Sequence, residues 1–82
     1  MTTGQLLEER AESLARNGTD TDEAVHELLE VSGNKRVSVV VAQQHFQERL
    51  EENSEDALAR RAAELLDEAL ARGEWPIEEG GG

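Results

Sequence analysis

Eighty-two residues without a cysteine make at most one domain, and they exclude disulfides, iron–sulfur clusters and thiolate zinc sites. Eight Lys and Arg against 19 Asp and Glu leave a formal charge of −11, a field that repels nucleic acid and anionic lipid and attracts basic surfaces. No run approaches the ~20 apolar residues of a membrane span, and Met1–Arg16 carries charges rather than an apolar leader, so a soluble, cytoplasmic protein is expected.

The first predicted helix takes Thr3 as N-cap, lines up Leu7, Ala11 and Leu14 on one face, and ends at Gly18 in the C′ position. Asp20 caps the second, with Glu23 three residues on in a capping-box arrangement, and Gly33 closes it. Its apolar stripe is Ala24, Val25, Leu28 and Leu29. The third segment admits two readings. As a helix from Lys35 to Glu52 it puts Val39, Ala42, Phe46 and Leu50 on one face; as a strand, residues 36–41 alternate, with Val37, Val39 and Val41 on one side. A short β-branched run cannot be decided by period alone. The helical frame continues without Gly or Pro through Gln43–Glu52, which favours the helix. The fourth helix is assigned Ser54 as cap, with Glu55 and Asp56 where the dipole favours anions. Leu58, Ala62, Leu65 and Ala69 follow helical spacing, Leu66 and Leu70 widen the stripe, and Gly73 ends it.

The expected fold is therefore all-α: a bundle of about four short helices over residues 1–73, followed by an acidic, Gly-rich, flexible tail over 74–82. The expected core is Leu7, Leu14, Leu28, Leu29, Phe46, Leu50, Leu58 and Leu65. A chain this short buries only about 60% of the surface its unfolded form exposes, so a homodimer is a natural way to complete such a core. The surplus of valine in Val37–Val41 points the same way.

The negative charge is unevenly placed. Asp20, Asp22, Glu23, Glu27 and Glu30 have no cation among them, and the tail adds Glu74, Glu78 and Glu79, whereas residues 35–53 balance to neutrality. Glu23-Ala-Val-His26 is a Glu-x-x-His step, the spacing that di-iron bundles use in pairs, with His45 and Glu48 as a reversed counterpart. One such step in a Glu-rich chain is a solvated face, and no metal or other cofactor is expected. Nucleophilic catalysis lacks its parts, and Gly80–Gly82 opens no helix that could cradle phosphate, so no enzyme is expected.

Two nucleic-acid readings come from one stretch. Leu28–Val41 runs Leu-Leu-Glu-Val-Ser-Gly-Asn-Lys-Arg-Val-Ser-Val-Val-Val and resembles helix-turn-helix segments, with a turn one residue longer than usual. That resemblance implies that Lys35, Arg36, Ser38, Gln43 and Gln44 face DNA, with Gln reading adenine. Taken as a strand before two helices, Lys35-Arg36-Val37-Ser38-Val39 resembles the ribbon-helix-helix order of dimeric repressors and antitoxins, which implies Arg36, Ser38 and Val40 in the groove. The strongly acidic segment just before opposes both.

The reading that charge favours is a small acidic regulator or adaptor that binds a basic protein partner, as an antitoxin-like inhibitor, a decoy or an accessory subunit. Asp22, Glu23, Glu27 and Glu30 would form its binding surface, with Trp75 as an aromatic anchor. A dimeric DNA-binding regulator is the alternative.

Overall fold

The computed structural model describes residues 3–33, 35–73 and 75. They form four helices: α1 (Thr3–Asn17), α2 (Thr21–Ser32), α3 (Arg36–Glu52) and α4 (Ala57–Arg72), with no strand among the described residues. Residues 36–41 are thus helical, and the ribbon on which the ribbon-helix-helix resemblance depends is absent from them.

Each helix ends where its local chemistry requires. Asn17 hands over to Gly18 at φ 68°, whose N–H donates to the Ala15 carbonyl while Thr19 N–H donates to that of Leu14. These two bonds make a Schellman motif, which satisfies carbonyls that the last turn leaves open. Asp20 caps α2 by accepting from Asp22 N–H at 3.2 Å; the reciprocal half of a capping box is not formed, because Glu23 is turned to solvent. Gly33 closes α2 at φ 61°, left-handed backbone that glycine adopts without steric cost.

Two assignments from sequence are corrected. Thr3 is already helical rather than a cap. Ser54 does not cap α4: Asn53 Oδ1 accepts from Glu55 N–H in a tight turn, and Asp56 is the cap, accepting from Ala59 N–H at 3.0 Å. Several capping-competent side chains compete within four residues here. The one next to the first helical turn reaches its free N–H groups.

Side-chain contacts set the directions of the helices. Glu8 meets His45 and Glu12 meets Arg49, so α1 and α3 run parallel. Gln43 bonds Asp67 across the antiparallel α3–α4 pair, and Arg10 reaches Glu27 across the antiparallel α1–α2 pair. Helices α1 and α4 each pack against all three others, whereas α2 and α3 touch only sparsely. The outer faces of α2 and α3 consequently belong to different sides of the bundle.

The core holds few large side chains. Phe46, Leu7, Leu28, Leu65, Leu66 and Val39 are fully buried. Between them lie Ala11, Ala24, Ala42, Ala59, Ala62 and Ala69, also fully buried, which let the helices approach closely. Each large apolar residue contributes about 1.5–3 kcal/mol of burial, so a core of this composition is thin. Leu7, Leu14, Leu28, Phe46 and Leu65 are buried as expected. Leu29, Leu50 and Leu58 are only half-buried. Helix α4 is rotated so that Ala59, Leu65 and Leu66 face inward and Leu58 lies at the margin.

Candidate functional site

The outer face of α2 is acidic. Glu23, His26, Glu27 and Glu30 recur at helical spacing on the side opposite the buried Ala24, Val25, Leu28 and Ser32. Glu23 and Glu30 are exposed and Glu27 is half-buried against α1, where it pairs with Arg10 at 2.7 Å. Asp22 lies at the other edge of the face and pairs with Arg72 of α4. Hydrogen bonding to Asp22, helped by Glu68, holds the Arg72 guanidinium above its ordinary pKa. Each long edge of the face is thus tied to a neighbouring helix while its middle stays open to solvent.

The histidines do not assemble a metal site with the carboxylates spaced for it. His26 lies beside Glu30 at 3.4 Å, and His45 beside Glu8 at 3.3 Å. No group of three or more metal-ligating side chains converges among the described residues.

A groove of about 450 Å³ separates α1 from α3, lined by Glu8, Glu9, Glu12, His45 and Arg49 over Phe46. The Arg49 guanidinium sits 5.4 Å from the Phe46 ring centre, and the His45 ring meets that ring edge-on at 5.1 Å. Arg49 also bridges Glu12 at 3.2 Å and Asp56 at 3.1 Å. Burial pulls the Arg49 pKa down, but its bonds to Glu12 and Asp56 outweigh this and raise it. The Ala59 N–H, with Arg49, holds Asp56 below the usual carboxylate value. This network clamps the α3–α4 turn to α1, with one guanidinium shared between two carboxylates.

The five residues implied to face DNA do not share a face. Gln43 points to α4, where its amide donates to Asp67 at 3.1 Å. Ser38 is half-buried. Successive residues turn by about 100° in a helix, which puts Ser38 on the opposite flank of α3 from Gln43. Lys35, Arg36 and Gln44 are exposed. Their neighbours on the outer side are Val37 and Val41, 66% and 49% exposed, with Val40 half-buried beside them.

Trp75 folds back on the end of α4, donating its indole N–H to the Leu70 carbonyl at 3.1 Å and packing against the core. A Cβ at Gly73 would collide with this ring and approach the Ala69 carbonyl oxygen to 2.9 Å. Trp75 thereby serves the bundle's own packing, through a carbonyl only five residues before it in the chain. The rest of the expected tail, residues 74 and 76–82, lies outside the described residues.

The described residues define a bundle of four helices with an acidic outer face on α2, and no described helix is long and apolar enough to cross a membrane. No protein-family model, curated protein or solved structure matches the chain.

Proposed function

We propose that this protein acts by binding a basic protein partner through the outer face of α2. The observation that carries this reading is the row Glu23–Glu27–Glu30, opposite the buried stripe of the same helix, with Glu23 and Glu30 open to solvent. Among the described residues, six of the seven arginines are engaged by carboxylates, a hydroxyl or a backbone carbonyl of the chain itself. Two of them, Arg10 and Arg72, meet the edges of this face at Glu27 and Asp22, which leaves Glu23 and Glu30 without an arginine among the described residues. A partner carrying Arg would meet exposed carboxylates, each able to accept a forked, charge-assisted pair of hydrogen bonds. The regulatory, inhibitory and decoy roles expected from the sequence all use such a surface.

A binding assay with an arginine-rich peptide tests this against simple net charge. Glu23→Gln, Glu27→Gln and Glu30→Gln together should weaken binding at least ~10-fold, equivalent to ~1.4 kcal/mol. A second triple variant of equal net charge, Glu9→Gln, Glu55→Gln and Glu64→Gln, should lose much less. Equal losses would reduce the effect to bulk charge and remove α2 from the account.

A further inference from the structure

We propose that the chain forms a two-fold dimer in which the outer face of α3 packs antiparallel against the same face of a second copy. The proposal does not depend on the role assigned to α2. Val37, Val41, Gln44 and Glu48 recur at i, i+4, i+7 and i+11 down the side of α3 away from buried Val39, Ala42 and Phe46. Val37 and Val41 are the most exposed valines among the described residues, and Val40 flanks them.

Charge identifies the occupant. No carboxylate falls between Glu30 and Glu48, the longest such stretch in a chain of net charge −11, so two copies repel each other least along this face. Its ends carry opposite signs, with Lys35 and Arg36 at the start of α3 and Glu48, Glu51 and Glu52 in its last turns. All five side chains are exposed. Lys35 and Arg36 are also the only Lys or Arg among the described residues without an ion pair or hydrogen-bonded partner for the side chain.

This placement opposes what the helix itself favours, since the macrodipole stabilises anions at an N-terminus and cations at a C-terminus. Lys35 stands at the N-cap with no side-chain cap bond, and the first turn of α3 holds no acid. The arrangement gains a purpose when a second α3 runs the other way, centred between Val41 and Gln44. Lys35 and Arg36 of each copy then reach Glu48 and Glu51 of the other, and the valines of both are covered. A two-fold interface must be self-complementary, and a helix basic at one end and acidic at the other meets that condition only antiparallel to itself. The contact is one helix wide, below the ~1,600 Å² of a standard interface, so a dissociation constant of about 10–100 µM is expected.

Sedimentation equilibrium on the full chain tests this at physiological salt, with concentration raised into the hundreds of micromolar. The wild type should move from monomer toward dimer. Val37→Glu with Val41→Glu should hold it monomeric with unchanged circular dichroism, because neither side chain is in the core. Charge inversion separates this arrangement from a merely sticky face. Lys35→Glu with Arg36→Glu should weaken self-association at least ~10-fold, as should Glu48→Lys with Glu51→Lys, while an equimolar mixture of the two variants should pair at least as well as the wild type. A wild type monomeric throughout overturns the proposal. So does a dimer indifferent to the valine changes, or a mixture that fails to recover pairing.

Discussion

Helices α2 and α3 follow one another in the chain and present opposite surfaces to solvent. The outer face of α2 is carboxylate at Glu23, Glu27 and Glu30; that of α3 begins with two cations and continues through exposed valine. Each helix buries one stripe, Ala24, Val25, Leu28 and Ser32 in α2 and Val39, Ala42 and Phe46 in α3, and the difference lies on the sides turned away from it. Burial constrains the inner stripe and leaves the outer one free, which makes the outer stripe the part of a small bundle where binding chemistry can be written. An acidic face selects partners by charge and over distance. An apolar face flanked by opposite charges selects by close fit and orientation.

The comparison breaks first if the scaffold common to both faces is damaged. Leu65→Ala, at a fully buried position, should cost about 2–5 kcal/mol in denaturant unfolding and degrade both surfaces together. The joint between the faces is the next most sensitive place. Gly33 has open space around it but a left-handed backbone, so Gly33→Ala should cost about 1–2 kcal/mol through backbone strain alone. An unchanged urea midpoint would show that this turn relaxes and that the angle between α2 and α3 is not held by it.

Acid sharpens the comparison through Asp56, which belongs to neither face. Its folded pKa is lowered by the Ala59 N–H and by Arg49, so its contribution is fully present above the unfolded value and is lost as pH falls through the folded one. The thermal stability gap between the wild type and Asp56→Asn should therefore be constant near neutrality and close as pH drops below about 4. A gap that persists at lower pH would contradict the capping and ion-pair account. The smallest effect is expected on the acidic face itself. Glu23→Gln and Glu30→Gln should each change stability by less than ~0.5 kcal/mol, while Glu27→Gln should lose only the ~0.2–1 kcal/mol of a surface pair with Arg10.

Much of this architecture was legible in the residues. The stripes of α1, α2 and α4, the closing glycines at 18 and 33 and the row Glu23–Glu27–Glu30 all follow from helical spacing. Residues 36–41 were ambiguous because Val37, Val39 and Val41 satisfy a strand's period while Val39, Ala42 and Phe46 satisfy a helix's. Burial of the second set resolves them. The rotation of α4 that places Leu66 inside and Leu58 at the margin is a tertiary choice that spacing leaves open. The edges of the acidic face were illegible for a similar reason: Arg10–Glu27 and Asp22–Arg72 join residues far apart in sequence. So does Gln43–Asp67, which removes a glutamine from the row implied to read DNA.

Amide chemical-shift mapping of the labelled protein during titration with an arginine-rich peptide tests the central claim most directly. The account predicts saturable shifts centred on Glu23, His26, Glu27 and Glu30 and reaching Arg10, weakened by added salt through screening. Shifts centred on Lys35–Gln44, or spread evenly over the carboxylates of all four helices, would contradict it.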